Sequence, residues 1–301
     1  MRTYSDYLNT FFPGVKVQKI SVDAGFSCPN RDGTIGVGGC AYCRNDSFTP
    51  AYCAEGGSVA SQVRKGIAFF SRKYPSMKYL AYFQSYTNTH GRNLDELRKL
   101  YMEAIAQEGV VGLVIGTRPD TLPDPVLRLL GDIGTHTRVF LEIGAETSCD
   151  DTLRAVNRHH TWHDVEDAVR RASAHGLHCG LHLIAGLPGE DRDRILRSVD
   201  DACRLPIDTL KIHQLQILKG TPLCARWKCG DVAVNPFTLD DYLDLCVEIV
   251  RRVPSRVVIE RFLAQSPPQL VEAPRWGLKN YQFANLLAQR MSELKTKTSP
   301  L

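Results

Sequence analysis

Between residues 15 and 218 the chain alternates short apolar runs with amphipathic stretches six times, and this alternation limits the fold more than any single residue does. The runs fall at residues 15–22, 79–83, 110–115, 139–143, 178–184 and 209–218. Residues 110–115 contain no polar position, as in a strand buried on both faces. Helices are expected between the runs over 59–72, from the N-cap Asn93 through 107, over 125–130, from a loose Thr161/Asp164 capping box to about 175, and over 192–204. Strands alternating with helices favour a parallel sheet with right-handed crossovers. The expected fold class is therefore α/β, a partial TIM-like (β/α)6 barrel whose chemistry sits on the loops after the strands.

Beyond residue 230 the pattern changes to a helix over 239–253, a short strand over 257–262, a turn at Pro267-Pro268 and a terminal helix over 282–295. The expected division is residues 1–22 as an N-terminal segment with the first strand, 23–230 as the barrel core with a long loop at 23–57, and 231–301 as a C-terminal extension packed on the barrel. A net charge of +4 without charge blocks permits a polyanionic partner but does not require one. The N-terminal residues lack the apolar core of a signal peptide and no apolar run can span a bilayer, so no membrane partner and a cytoplasmic location are expected. Ten cysteines in a reducing compartment then point to metal or redox chemistry where they cluster and to packing where they scatter.

They cluster once. Cys28, Cys40 and Cys43 stand on the loop after the first strand, with glycines at 33, 36, 38 and 39 that let backbone wrap closely around a ligand. A tetrahedral zinc site asks for four ligands, of which Cys53 could add one. A thioredoxin-like pair would place Cys40 and Cys43 at a helix start without a third thiol. Unliganded reduced cysteines are the third reading. Three thiolates on a [4Fe–4S] cluster leave one iron open, and such an iron can chelate the amino and carboxylate groups of S-adenosylmethionine.

Four segments together resemble the radical SAM superfamily over residues 4–290, and more closely its YhcC/YtqA-type members, near the elongator catalytic subunit and oxygen-independent coproporphyrinogen oxidase. They are the run Cys28-Pro29-Asn30-Arg31-Asp32-Gly33-Thr34, the run Gly39-Cys40-Ala41-Tyr42-Cys43, the turn Gly186-Leu187-Pro188-Gly189-Glu190, and Lys211-Ile212-His213-Gln214-Leu215. Eleven residues separate Cys28 from Cys40 where the commonest superfamily motif has three, a widening that the resembling branch shares. The resemblance implies an enzyme with Cys28, Cys40 and Cys43 as cluster ligands and S-adenosylmethionine as the second cofactor. It further implies Gln84, Ser85 and Tyr86 near the methionine amino group, Glu142 and Glu146 near the adenosine, Arg158 toward the methionine carboxylate, and His182 and Leu183 along the adenine. An electron donor such as flavodoxin or ferredoxin is implied as a partner, with tRNA, a nucleotide or another small molecule as substrate.

Each residue also has a plainer reading. Glu142 can be a salt-bridged barrel carboxylate, Arg158 a solvated helix-end residue, and the glycines of the 186–190 turn simple strand punctuation. His159, His160 and His163 resemble a metal cluster but more often cap or face solvent. Cys224 and Cys229 invite a second cluster without further ligands nearby, and Cys149, Cys179, Cys203 and Cys246 read as packing. Of His213 and Gln214, adjacent on a strand, one is expected to face the lumen. Trp276 reads as core. The other function classes to weigh are a non-catalytic iron–sulfur or metal-binding protein and an RNA-binding scaffold.

Overall fold

The computed structural model describes residues 2–54, 56–72 and 74–298; the last three residues of the expected extension lie outside them. Six strands match the apolar runs: β1 (Val17–Val22), β2 (Lys78–Phe83), β3 (Val110–Thr117), β4 (Arg138–Glu146), β5 (His178–Ala185) and β6 (Thr209–Gln214). They pair in parallel in sequence order. The single strand expected over 209–218 is two. After Gln214 the chain turns out of the sheet, and β7 (Ile217–Leu218) pairs antiparallel with β9 (Val271–Ala273). A seventh strand, β8 (Val258–Arg261), adds in parallel beside β6. The expected partial TIM-like barrel is present, and its sheet carries this seventh strand beyond the six expected in (β/α)6. One strand of the segment expected as an extension thus enters the sheet: Val258 and Ile259 are apolar and bury beside Thr209 and Leu210.

The helices are α1 (Tyr4–Asn9), α2 (Ala51–Ala54), α3 (Val59–Ser71), α4 (Leu94–Ile105), α5 (Asp124–Gly134), α6 (Asp150–Ala155), α7 (Trp162–Ala174), α8 (Arg192–Arg204), α9 (Pro222–Lys228), α10 (Leu239–Arg252) and α11 (Asn280–Thr298). Asn93/Glu96 and Thr161/Asp164 form the reciprocal caps of α4 and α7. Their apolar faces cover the outside of the sheet in one continuous core that runs from Val22 to Leu287. Among the described residues no helix is long and apolar enough to cross a membrane.

The sheet is curled. β1 and β8 are its two edges, yet Lys19 Nζ on β1 lies 2.8 Å from Glu260 Oε2 on β8. Strand periodicity then stacks the inward side chains in layers. Lowest are Leu80, Val114, Phe140 and Val258, plugged by Tyr7 and Leu8 of α1. Above them lies a charged layer of Lys19, Tyr82, Glu142, Lys211 and Glu260. Above that, at the C-terminal ends of the strands, the lumen opens.

Candidate active site

The opening is a cavity of about 260 Å3. Cys28, Cys40 and Cys43 line it together with Gln84, Tyr86, Glu142, Glu146, Arg158 and His182. Ser85 and Leu183 are not among the lining residues. The Ser85 hydroxyl sits 3.2 Å from Thr49 Oγ1, and Leu183 points outward into the helix-covered core, as its parity beside His182 and Ile184 requires.

The cysteine loop is held by the segment after α6. Ala41 N–H donates to the Val156 carbonyl at 2.9 Å, Asn157 Nδ2 donates to the Gly39 carbonyl at 2.8 Å, and Asn30 Nδ2 donates back to the Asn157 carbonyl. Within and just after this clasp Asn157 and His159 take left-handed backbone, at φ 58° and 61°. Tyr86 and Glu146, which line the cavity, share that strained region at φ 61° and 68°; with Asn157 on the loop and His159 beside Gly36 they are the four non-glycine residues with positive φ among the described residues. Gly39, at φ +77°, admits the Arg31 guanidinium, which a Cβ would meet at 2.8 Å; Arg31 Nη2 donates to the Cys43 carbonyl at 3.1 Å.

Cys40 Sγ accepts contacts from Asn30 Nδ2 at 3.4 Å and Arg158 Nη1 at 3.5 Å. Burial, with Cys40 beside it, pushes the Cys43 thiol up to about 11. A bound metal reverses that cost by stabilising the thiolate. N–H donors on sulfur and a cationic rim are the surroundings an iron–sulfur cluster uses to settle its charge. Cys53 is elsewhere: its thiol donates to the Ser21 carbonyl and lines no part of the cavity. Three thiols on one cavity wall, with N–H donors on sulfur, are donors of the kind such a cluster takes.

Arg158 is buried and fully engaged. Besides Cys40 it donates to the Gly144 carbonyl at 2.7 Å and to His160 Nε2 at 3.0 Å, and it pairs with Glu146 at 3.1 Å. It is not a solvated helix-end residue. His160 is its acceptor, and burial with that guanidinium pushes the imidazole down to about 2. Both oxygens of Glu142 are taken by Lys19, Lys211, Tyr82 and His182. Cys224 is buried in a small apolar cluster and Cys229 is exposed.

The residues that motif reading passed over are Asn30 and Asn157, which clasp the loop, and Arg118, Gln216 and Arg261, which line the cavity. Their positions after strand ends were the available signal. The 186–190 turn is punctuation and more. Gly186 has φ +92° and a Cβ there would strike the Phe237 ring at 2.9 Å. Burial raises the Glu190 carboxyl to about 7, against the Thr147 hydroxyl that donates to it. A raised pKa means stability that is complete below the unfolded value of 4.5 and is lost as pH climbs through 7. Glu190→Gln is expected to stabilise the fold at pH 8 by up to about 3 kcal/mol and to flatten the decline between pH 5 and 8, read from urea midpoints at both pH values.

Residues 32–202 match the radical SAM superfamily model and residues 207–293 match the Radical_SAM C-terminal domain. The chain is 38% identical over 264 residues to YhcC of Escherichia coli K12, covering 87% of this chain and 83% of that protein. It is 32% identical to YtqA of Bacillus subtilis, covering 92% and 85%. A tRNA uridine(34) acetyltransferase of Dehalococcoides mccartyi is 34% identical over 58% of this chain, which spans 37% of that protein. In fold it is similar to Elp3 of the archaeon Methanocaldococcus infernus, with a TM-score of 0.72 at 17% identity, covering 93% of this chain and 64% of that one. A strand-end cavity lined by three thiols, the curled parallel sheet and these matches lead to one assignment: the chain belongs to the radical SAM superfamily, enzymes that use a [4Fe–4S] cluster, S-adenosylmethionine and an electron donor.

Proposed function

We propose that Cys28, Cys40 and Cys43 hold the [4Fe–4S] cluster and that the enzyme cleaves S-adenosylmethionine to act on a nucleotide, free or within tRNA. The observation that carries this reading is the single cavity shared by the three thiols with Gln84, Tyr86, Glu146 and His182. Held by Cys28, Cys40 and Cys43, the cluster would supply the single electron that breaks a sulfonium C–S bond of S-adenosylmethionine and so starts radical chemistry on the substrate. Asn30 and Arg158 stabilise the Cys40 thiolate through their N–H groups. Gln84, Tyr86, Glu146 and His182 border S-adenosylmethionine, with the Gln84 oxygen already oriented by the Ser21 hydroxyl at 2.9 Å. Arg158 acts from behind, fixing Glu146 at the cavity wall. A flavodoxin or ferredoxin is the proposed electron donor. The tRNA option draws on the similarity to an enzyme named for tRNA uridine(34).

The test is anaerobic reconstitution with iron and sulfide, followed by reduction with dithionite in the presence of S-adenosylmethionine. Expected are about four irons and four sulfides per chain and release of 5′-deoxyadenosine. Cluster-loaded, reduced protein that releases none, with or without added tRNA and nucleotides, overturns the reading.

A further inference from the structure

The cavity has a second wall that the cofactors leave unexplained. It is built from β6, the turn after it and β8: His213, Gln216 and Arg261 line the lumen there. Each carries a buried polar atom without a partner, at His213 Nε2, Gln216 Oε1 and Arg261 Nε. Unpartnered polar atoms gathered on one wall mark a surface waiting for a ligand, since burial without a hydrogen bond is costly.

Charge narrows the ligand. The other arginines of the cavity already have partners: Arg44 is paired with Asp46, Arg158 with Glu146, Arg31 with the Cys43 carbonyl, and Arg118 with Asp120, although Arg118 Nη1 is also buried without a partner on the opposite side of the cavity mouth from β8. Below them Lys19 and Lys211 balance Glu142 and Glu260. Glu260, next to Arg261 in sequence, is thereby occupied. Among the described residues Arg261 has no side-chain hydrogen bond or ion pair. The pairing of β6 with β8 slips between Leu210 and Lys211, where Ile259 and Arg261 are the partners. That irregularity lets Glu260 and Arg261, neighbours that would otherwise alternate, both serve the lumen. Burial, with Arg261 nearby, keeps the His213 imidazole neutral, so it offers a hydrogen bond without a competing charge.

We propose that His213, Gln216 and Arg261 bind the substrate of the reaction by an oxyanion, a phosphate ester or a carboxylate, seated on Arg261, with a hydrogen-bond donor of the substrate on Gln216 Oε1. The inference rests on the radical reading only in calling this ligand the substrate. Gln214 and Gln216 also line an adjoining cavity of about 420 Å3 that runs to Arg275, Trp276 and Lys279, which leaves room for the rest of a substrate larger than its anionic group.

The experiment titrates reconstituted protein with inorganic phosphate, uridine 5′-monophosphate, uridine and succinate, reading Tm and Kd. At least one anion is expected to raise Tm where uridine does not. Uridine 5′-monophosphate or phosphate assigns a phosphate ester, and succinate a carboxylate. Arg261→Gln is expected to weaken that anion at least about tenfold and Arg261→Lys to recover part of the loss. Gln216→Leu supplies the same comparison, with a smaller loss, where Arg261→Gln does not fold. No Tm rise with any anion, or a rise that survives both Arg261→Gln and Gln216→Leu, overturns the proposal. The same wild-type preparation is assayed for 5′-deoxyadenosine. Anion binding through Arg261 without cleavage removes only the radical reading; cleavage with Arg261-independent binding removes only this one.

Discussion

Replacing Cys40 with alanine is expected to abolish iron–sulfur absorbance after reconstitution and to bring 5′-deoxyadenosine release down to the level of protein without iron. The same holds for Cys28→Ala and Cys43→Ala, because a cluster that leaves one iron open to S-adenosylmethionine has no spare thiolate. Cys53→Ala is the contrasting variant. Its sulfur already donates to the Ser21 carbonyl and lines no part of the cavity, so cluster content should stay as in the wild type. Asn30→Ala and Arg158→Gln test the surroundings of the ligands. Each removes an N–H contact from the Cys40 sulfur, and a loss of about 10–100-fold in iron affinity or activity is expected. A Cys40→Ala protein that still assembles a cluster and cleaves S-adenosylmethionine would sink the ligand assignment. A Cys53→Ala protein that loses the cluster would move the third or a fourth thiolate to that position.

The barrel was legible because apolar runs recur between amphipathic stretches, and one of them, β3, is apolar on both faces. Residues 110–115 could be little else, and the glycines and caps that bound such runs set their ends closely. The seventh strand was legible as a strand but not as a barrel strand. Four residues, Val258–Arg261, carry no sign of which neighbour they join, and pairing with β6 is decided by the return of α10 across the sheet. The break between β6 and β7 was hidden for the opposite reason: Leu215, Ile217 and Leu218 continue the apolar pattern while the backbone leaves the sheet. Helices α1, α6 and α9, of six or seven residues, are too short to show a period.

At the site, the cysteines announced themselves by spacing. The residues that hold them did not. Asn30 and Asn157 meet across 127 positions of chain, and a left-handed backbone at Asn157, His159, Tyr86 and Glu146 leaves no mark in sequence where glycine is not used. The resemblance singled out Arg158, but its partners, Cys40, Gly144, His160 and Glu146, come from separate segments. Glu142 is the sharpest case. Its position on β4 was evident, whereas its company required the curl that brings β1, β6 and β8 around one carboxylate.

That company makes Glu142→Ala the variant with the largest expected cost to stability. Glu142 is 4% exposed and Lys211 2%. Lys19 and Lys211 both bond the carboxylate, the second at 2.6 Å, while Tyr82 donates to it and His182 lies 2.8 Å away. Removing it leaves Glu260 alone to balance two lysines in the barrel interior. Deleting one partner of a buried pair typically costs about 3–5 kcal/mol, because the remaining charge stays desolvated. Glu142→Gln keeps the shape but not the charge, and is expected to fall between the alanine variant and the wild type. Burial by itself would raise the Glu142 pKa, but Lys19, Lys211 and His182 outweigh it and hold the carboxyl well below its usual range. A depressed carboxyl pKa contributes stability that is complete above the unfolded value of 4.5 and is lost as pH falls through the folded one. The deficit of Glu142→Ala should therefore be full at pH 7 and narrow below about pH 4.5, where the wild type loses the same contribution. Urea unfolding at pH 7 and pH 4 reads both quantities. A deficit under about 1 kcal/mol at pH 7 would mean that the charged layer holds no uncompensated ion when Glu142 is absent, and that water reaches the lysines through the gap between β1 and β8.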